Sequence, residues 1–354
     1  MPFHMTLRLS RRRLVTGSAM AATALAVPAL VRAQSDTKVR FALDWRFESP
    51  AAQLVVPEQK GYFKAEKLDV QIDVGTGSAS AVQRVASGQY DMGFADTSAL
   101  MEFVGNNPGA PQKPVAVMMS YADTASSIIA LKASGIREPK DLEGRKLGGP
   151  LQDASRRAFP IFARAARIDA SKVEWVTMAP PLREQMLVRR DVDAIAGFTY
   201  FSPLNALNYG VKESDLVMLP YTQYGARLYG HALIASQRFI NEQPDALRGF
   251  LRAFTKGTRD VLADPVAATH AVKLREPLIN EALGVRMLRG VISSCIDTAD
   301  ARAEGFGNIS APRLALMASQ VADVLQTKTR IDPNTLFDGR FLPSAAERNI
   351  LGKG

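Results

Sequence analysis

The chain has 354 residues, a net charge of +9, one cysteine and three histidines. A single cysteine excludes an intrachain disulfide, and also the cysteine-based zinc and iron–sulfur sites that need several thiolates. The lysines and arginines are scattered, without a basic stripe or the aromatic pattern of an RNA-recognition sheet, so nucleic acid is not an expected partner.

The first 33 residues have the composition of a signal peptide. Arg11, Arg12 and Arg13 precede an alanine-rich apolar run at 19–30, and Val31-Arg32-Ala33 is a small-residue cleavage pattern. The arginines favour twin-arginine export, with an ordinary Sec signal as the alternative. Removal of this segment, which holds five arginines and no acids, lowers the net charge from +9 to +4. The run is too short to cross a bilayer of ~30 Å, so we predict a soluble periplasmic protein with no membrane insertion after cleavage.

The first half of the remaining chain alternates strands with helices, which is typical of a parallel sheet with helical crossovers. Strands are predicted at 38–45, 68–74, 91–95 and 113–120. Helices are predicted to begin near Ser49-Pro50, at Ala79 and after Ser98, because a capping residue precedes each apolar run.

The middle third repeats this pattern and suggests a second domain. Strands are predicted at 126–132, 147–149, 173–178, 193–198, 217–221 and 230–235, and an amphipathic helix begins at Pro244. The strands at 126–132 and 230–235 are predicted to carry the chain into a second lobe and back. We therefore predict that lobe 1 comprises 34–125 plus 231–354 and that lobe 2 comprises 126–230, since about 320 residues suit two domains.

Polar residues recur where predicted strands turn into helices. In open parallel sheets ligands bind outside the carboxyl ends of the strands, and the unpaired N–H groups at a helix start stabilise a polar or anionic group. Simple helix capping, worth ~1 kcal/mol, is the alternative at each turn. The predicted ligand-binding residues at these turns are Thr76, Gly77, Ser78, Asp96, Thr97, Gln152, Asp153 and Ser155.

Aromatic residues at strand ends form a second group of candidates. Trp45 follows the first strand, Tyr121 follows the fourth, and Thr199-Tyr200 follows the strand at 193–198. Flat rings suit a ligand with a planar part, because a stacked pair adds ~0.5–1.5 kcal/mol beyond area burial. Closing the rim of the core is the alternative role for these rings.

Four segments resemble the nitrate/sulfonate/taurine-type solute-binding family of ABC transporters, in a superfamily that includes thiamine-pyrimidine precursor binders and pyrimidine synthases. They are Ala42-Leu43-Asp44-Trp45, Glu58-Gln59-Lys60-Gly61-Tyr62-Phe63, Leu68-Asp69-Val70 and Ala86-Ser87-Gly88-Gln89-Tyr90-Asp91-Met92-Gly93. The resemblance implies an α/β, type II periplasmic-binding-protein fold, with two α/β lobes joined by a two-strand hinge that bends on closure.

The resemblance also suggests where a ligand binds. Asp44-Trp45 is similar to the motif at which the pyrimidine-binding branch holds its heterocycle, and the three polar turns are similar to the ligand loops of the two lobes. That branch carries an Asn and a Glu after the strand at 193–198, whereas this chain has Thr199-Tyr200-Phe201-Ser202. The resemblance therefore does not fix the ligand.

The predicted function is capture of a small organic solute in a cleft between the lobes and its delivery to an ABC permease and its ATPase. The solute is a sulfonate-like anion or a planar heterocycle such as a pyrimidine, and the protein is expected to be a monomer. No catalytic residue, cofactor or metal site is predicted, because no G-x-S-x-G, Walker or H-E-x-x-H motif occurs and His231 and His270 form no ligand motif.

Two alternatives remain open. A pyrimidine synthase of thiamine biosynthesis is expected to use a cysteine-rich iron motif and a histidine within the site. This chain has one cysteine, Cys295, and we expect no histidine near the first-lobe loops. A ligand-binding partner of a membrane sensor would have the same two lobes as a transport protein.

Overall fold

The computed structural model describes residues 1–4 and 36–351. Residues 1–4 have no regular secondary structure, and the rest of the predicted signal peptide, with its arginines and cleavage pattern, lies outside the described residues. None of the helices at 36–351 is long and apolar enough to cross a membrane.

The strands of the described residues form two five-stranded sheets. Sheet 1 contains β1 (Thr37–Ala42), β2 (Leu68–Asp73), β3 (Met92–Asp96), β4 (Val115–Met119) and β10 (His231–Ala235). Sheet 2 contains β5 (Ser126–Leu131), β6 (Lys146–Gly148), β7 (Glu174–Val176), β8 (Ala194–Phe198) and β9 (Leu216–Pro220).

The two sheets have the same strand order. Sheet 1 runs β2-β1-β3-β10-β4 and sheet 2 runs β7-β6-β8-β5-β9. In sheet 1, β1 is parallel to β2 and β3, while β10 is antiparallel to β3 and β4. In sheet 2, β6 is parallel to β7 and β8, while β5 is antiparallel to β8 and β9. The strands predicted in the first half, β1 to β4, therefore all run in one direction, as expected of a parallel sheet with helical crossovers. The antiparallel strand of each sheet, β10 or β5, is the one that arrives from the other sheet.

The chain passes between the sheets twice, from β4 to β5 and from β9 to β10. The two crossing segments are joined by hydrogen bonds from Thr124 N–H to Leu228 O (3.0 Å) and from Gly230 N–H to Tyr121 O (3.0 Å). A Cβ atom at Gly230 would lie 2.6 Å from the carbonyl oxygen of Asp123, so this approach requires glycine. The crossing segments therefore form a paired two-strand hinge.

We call the parts around sheet 1 and sheet 2 lobe 1 and lobe 2; their predicted boundaries, at 125/126 and 230/231, stay a prediction. The helices cover the faces of both sheets. They are α1 (Ala52–Gln59), α2 (Tyr62–Ala65), α3 (Ser78–Ala86), α4 (Thr97–Asn106), α5 (Ala154–Ala165), α6 (Arg183–Val188), α7 (Ser202–Leu207), α8 (Gln237–Glu242), α9 (Pro244–Ala263), α10 (Pro265–Arg275), α11 (Glu281–Val291), α12 (Ala299–Glu304), α13 (Ala311–Leu325) and α14 (Ala345–Arg348).

The amphipathic helix predicted from Pro244 is confirmed as α9. Its apolar face is buried against sheet 1, where Phe250 stacks on Phe41 with ring centroids 5.4 Å apart. The start predicted at Ser49-Pro50 is a short 3-10 turn that leads into α1, and Ser49 is not its cap. The rings and methyl groups of α9 therefore fill one face of sheet 1 as part of the core.

The lobes are closed on each other. Tyr200, Phe201 and Leu204 of lobe 2 belong to the same buried apolar cluster as Phe41 and Phe250 of lobe 1. In addition, Arg157 of α5 donates from Nε to Oε2 of Glu102 in α4 at 2.8 Å. Packing and ion pairing thus join the two lobes.

Candidate functional site

A small cavity lies between the closed lobes, and we call it the inner cavity. Its volume, measured as the space open to the centre of a water molecule, is about 60 Å³. A space of this size holds on the order of four water molecules at ~15 Å³ each. Lobe 1 contributes the loops after β1 and β2 and the start of β10, and lobe 2 contributes the start of α5, the start of α6 and the segment after β8.

On the lobe 1 side, Asp44 is the centre of a hydrogen-bonded group. Its Oδ2 accepts a hydrogen bond from Ser78 Oγ (3.0 Å) and lies 2.7 Å from His231 Nε2. Ser78 Oγ in turn accepts from the N–H of Asp96 (3.0 Å), and the N–H of Gly77 donates to the carbonyl oxygen of Asp44 (2.7 Å). These bonds hold the loops after β1, β2 and β3 in one arrangement, which we call the Asp44 cluster.

His231 completes this cluster and contradicts the expectation that no histidine lies near the first-lobe loops. Its ring packs against Phe94, Tyr121 and Phe198, with centroids 5.1, 5.3 and 5.5 Å away. Burial lowers the pKa of His231, but the charge and hydrogen bond of Asp44 outweigh it, so the pKa is raised above 6.5. The signal in the sequence was the position of His231 near the start of the strand predicted at 230–235. That strand is β10, which runs antiparallel beside β3 and pairs His231 with Asp96.

On the lobe 2 side, Arg183 is a buried cation that was not among the predicted binding residues. Its side chain is 2% exposed. It donates from Nη1 to Oδ2 of Asp153 (3.0 Å) and from Nε to Oε1 of Glu184 (2.9 Å). Burial raises the pKa of Asp153, and Arg183 opposes that rise. The charge of Arg183 is therefore balanced by Asp153 and Glu184 of the same lobe. We call these three residues the Arg183 cluster.

The Arg183 cluster touches Trp45 across the gap. The guanidinium carbon of Arg183 lies 4.9 Å from the centroid of the Trp45 ring and 5.5 Å from that of Phe201. Trp45 Nε1 is buried and has no hydrogen-bond partner among the described residues. An unpaired buried donor costs ~1–3 kcal/mol, so this N–H suits a bond to a bound molecule.

At the helix starts predicted to bind an anion, N–H groups already have hydrogen-bond partners within the protein. Ser78 does not cap α3 as predicted, because Gly77 occupies that position and the Ser78 hydroxyl binds Asp44. The next N–H of α3, that of Ala79, donates to the carbonyl oxygen of Gln152 in lobe 2 (3.3 Å). The other two helices have carboxylate caps. They are α4, where Asp96 accepts from Ser98 N–H at 2.8 Å, and α5, where Asp153 accepts from Arg156 N–H at 3.0 Å.

The thirteen predicted binding residues divide into two groups. Those that line the inner cavity are Asp44, Trp45, Gly77, Ser78, Tyr121, Asp153 and Tyr200. Those outside its lining are Thr76, Asp96, Thr97, Gln152, Ser155 and Thr199. Within the second group, Thr97 donates to Gly230 O (2.6 Å) and Ser155 to Gly197 O (2.9 Å), so these two hydroxyls bind backbone.

Two tyrosines and one glutamate of the cavity have perturbed ionisation. Burial raises the pKa of Tyr121 and of Tyr200 well above 10, which keeps both phenols neutral. Burial also raises the pKa of Glu48 to about 7. Glu48 lines the inner cavity and is a third acid there, beside Asp44 and Asp153, that the sequence analysis did not single out.

No group of three or more His, Cys, Asp or Glu side chains is placed to hold a metal ion within the part of the chain that the structure describes. Cys295 is buried with a free thiol, and burial raises its pKa to about 12. The inner cavity therefore offers rings, carboxyl groups and an indole N–H.

Sequence relatives with curated names include a synthase and a binding protein. The chain is 26% identical over 270 residues to a 4-amino-5-hydroxymethyl-2-methylpyrimidine phosphate synthase of Saccharomyces cerevisiae, covering 71% of this chain and 75% of the yeast protein. It is 24% identical over 264 residues to the formylaminopyrimidine-binding protein of Halalkalibacterium halodurans, covering 69% of this chain and 73% of the relative.

Among solved structures, the alkanesulfonate-binding protein SsuA of Xanthomonas axonopodis pv. citri superposes with a TM-score of 0.68 at 13% identity. The superposition covers 85% of this chain and 99% of SsuA, and it shows the periplasmic-binding-protein fold. The NMT1/THI5-like family matches residues 49–268, which is more than half of the chain. The chain belongs to the NMT1/THI5-like family.

Proposed function

We propose that this protein is the exported, periplasmic solute-binding component of an ABC importer, and that it captures a planar, amino-substituted heterocycle of the pyrimidine class. The observation that carries the proposal is the inner cavity, which is lined by aromatic rings and carboxyl groups and closed between two lobes. In this function the closed monomer delivers its ligand to a permease whose ATPase drives import.

Closure around a ligand follows from the way the two lobes share the cavity. Asp44 and Trp45 come from lobe 1, whereas Asp153, Arg183 and Phe198 come from lobe 2. A molecule that contacts both walls binds the closed form more tightly than the open form, and this difference in affinity shifts the equilibrium toward closure. The paired crossing segments supply the hinge for such a movement.

The charges of the cavity favour a heterocycle with N–H donors over a sulfonate. Asp44 and Asp153 present carboxylates, and the Arg183 cation is already paired with Asp153 and Glu184. A buried anion without a free cation would pay a desolvation cost of several kcal/mol. An amino group or a protonated ring nitrogen instead finds acceptors, and the rings of Trp45 and Phe198 offer flat surfaces for stacking.

The names of the relatives support the same ligand class. One relative is named for binding formylaminopyrimidine and the other for making a pyrimidine phosphate. Two proteins with different activities thus share a pyrimidine in their names, which makes this ring system the first one to test.

A thermal-shift screen tests the proposal. The panel contains aminopyrimidines, pyrimidinones, taurine-like sulfonates, aromatic acids and nitrate. We expect aminopyrimidines to stabilise the protein, by about 2.7 kcal/mol at a concentration one hundred times Kd. Small-angle scattering with the best ligand is expected to show a smaller radius of gyration. Stabilisation by sulfonates alone, or an unchanged radius, would contradict the proposal.

Trp45→Ala tests the stacking surface. We expect affinity for the aminopyrimidine to fall about tenfold, the equivalent of ~1.4 kcal/mol, while the protein stays folded. Trp175→Ala is the matched control, because Trp175 also packs beside an arginine, at 4.9 Å from Arg156, but lies outside the inner cavity. Calorimetric titration measures both; equal losses in the two variants would remove Trp45 from the ligand site.

A pyrimidine synthase is a second candidate, supported by the name of the yeast relatives and by His231 in the cavity. The cysteine-rich iron motif expected of a synthase does not fit this chain, whose one cysteine is buried with a thiol pKa of about 12. Formation of a pyrimidine phosphate on incubation with pyridoxal phosphate and iron would establish the synthase. A sensor role would instead be established by capture of a membrane kinase in a pull-down with the ligand-loaded protein.

A further inference from the structure

Glu48 is placed between two spaces. It lies in the loop after β1, where it precedes the 3-10 turn Ser49–Ala51, and it lines the inner cavity. It also lines a second space, which we call the outer chamber, of about 340 Å³ by the same measure. Arg46, Glu48 and Glu276 of lobe 1 and Glu184 and Asn205 of lobe 2 are among the residues around the outer chamber. A molecule in the inner cavity can therefore contact Glu48, which also lines the outer chamber.

The carboxyl group of Glu48 is held in place but not saturated. Oε1 accepts a hydrogen bond from Arg46 Nη2 (2.6 Å), and Oε2 accepts a long one from Asn205 Nδ2 of lobe 2 (3.5 Å). The side chain is 15% exposed. Each carboxyl oxygen has two lone pairs, so both can bind a further partner. The group is thus oriented by both lobes and still able to bind a ligand.

The charges around Glu48 come from several elements. Arg46 lies on the same loop, Arg183 and Glu184 face it from α6, and Glu276 lines the outer chamber. Asp44, Asp153 and His231 line the inner cavity with it. Burial raises the pKa of Glu48 to about 7, Glu184 adds to the rise, and Arg46, Asn205 and Arg183 oppose it. At neutral pH the group is therefore present in both protonation states.

The protonated form of Glu48 can both donate and accept hydrogen bonds. A neutral carboxyl group donates from one oxygen and accepts at the other. An aminopyrimidine presents the complementary pattern on one edge, with a ring nitrogen that accepts beside an amino group that donates. Two parallel hydrogen bonds between such edges fix the orientation of a planar ring as well as adding binding energy.

We propose that Glu48 is a ligand-contacting, specificity-determining residue whose carboxyl group binds the ring-nitrogen and amino edge of the heterocycle. The inference rests on the proposed function and deepens it by naming which ligands of the class are selected. A ring with an amino group next to a ring nitrogen is bound, and an analogue that lacks the amino donor is rejected.

The experiment is calorimetric titration of the full-length mature protein with 4-aminopyrimidine, and with 4-methylpyrimidine, which lacks the amino donor. The variants are Glu48→Gln, Glu48→Ala and Glu102→Gln. Gln retains one donor and one acceptor without titrating, Ala removes both, and Glu102 is an interlobe carboxylate outside both spaces. Thermal unfolding of each variant verifies that it is folded.

We expect the wild-type protein to prefer 4-aminopyrimidine by about tenfold, and its affinity to fall by up to about tenfold per pH unit above pH 7 as Glu48 loses its proton. Glu48→Gln keeps the affinity within a few-fold and removes this dependence, whereas Glu48→Ala loses about tenfold or more. Glu102→Gln removes an ion pair between the lobes, so its affinity falls equally at every pH and its pH profile stays that of the wild type.

Three results would overturn the inference. These are equal losses in Glu48→Gln and Glu48→Ala, a pH profile that Glu48→Gln leaves unchanged, and equal affinities for the two ligands in the wild type. In each of these cases the proposed function still stands, because a pyrimidine binds. If no planar heterocycle binds to the wild-type protein at all, the proposed function fails and this inference fails with it.

Discussion

Lobe 1 and lobe 2 have the same strand order, but they build their sides of the inner cavity in different ways. In lobe 1, hydrogen bonds within the lobe join Asp44, Ser78, Asp96 and His231. In lobe 2, Arg183 satisfies its charge within the lobe but also covers a ring of lobe 1. Both walls thus balance their charges within one lobe, and rings make contacts across the gap, since Arg183 covers Trp45 and His231 packs against Phe198. The difference is that in lobe 2 the charged group itself covers a ring of the opposite lobe.

The largest expected effect comes from breaking the lobe 2 wall. Arg183→Met leaves Asp153 and Glu184 buried without their cation, so we expect the free energy of unfolding to fall by ~3–5 kcal/mol. Arg189→Met is the control at the opposite end of the same helix; its ion pair with Asp191 is exposed, and the expected loss is at most ~1 kcal/mol. Urea unfolding measures both variants. Similar losses would show that Arg183 acts through packing and not through its charge.

Breaking the lobe 1 wall is expected to cost less and to change the pH dependence of stability. Asp44→Asn keeps the shape of the side chain but removes the charge beside His231, and a disturbed buried hydrogen bond costs ~1–3 kcal/mol. Because the folded pKa of His231 is raised, its contribution to stability is present below pH 6.5 and is lost as pH rises through the folded pKa. Asp44→Asn removes the main cause of that rise.

As the pH rises from 6.5 through the folded pKa of His231, we therefore expect the free energy of unfolding to decline more steeply for the wild type than for Asp44→Asn. Urea titrations at several pH values test this, and His231→Gln serves as the second variant, since it lacks the titrating group altogether. Parallel profiles for wild type and both variants would contradict the role assigned to the Asp44–His231 pair.

Gly77→Ala is expected to have the smallest effect on stability, while it sharpens the contrast between the lobes. Gly77 has φ +140°, and a Cβ atom there would lie 2.1 Å from the carbonyl oxygen of Gln152 in lobe 2. Gly88→Ala, with φ +75° and no atom within 4 Å of its Cβ, is the control for an alanine at positive φ without a clash, where backbone strain costs ~1–2 kcal/mol. We expect only Gly77→Ala to prevent compaction by the ligand in small-angle scattering. Compaction in both variants would show that the lobes close without this contact.

The sequence predicted the order of strands and helices because their apolar patterns are local. Capping by Asp96 and Asp153 was also predictable, since each precedes an apolar helix and its carboxylate accepts from a nearby N–H. The mixed direction of each sheet was not predictable from these patterns, because a buried strand has the same composition whether its neighbours run parallel or antiparallel.

The missed members of the site share one property: their neighbours come from distant parts of the chain. His231 lies beside Asp44 only because β10 inserts between β3 and β4. Arg183 begins a short helix and would be read from sequence as an exposed charge, yet Asp153 and Trp45 enclose it. Glu48 is similar, since its contact with Asn205 exists only when the lobes are closed.

The strand order also imposes a sequence of events on folding. Within sheet 1, β4 is an edge strand whose neighbour is β10, and all of β5 to β9 lies between them in the chain. Sheet 2 is built from consecutive strands, so it can be completed from one continuous stretch of newly made chain. Sheet 1 must wait for its last strand and then close a long loop, and contacts between distant residues slow folding. The central part of the polypeptide is thus able to fold ahead of the two ends that enclose it.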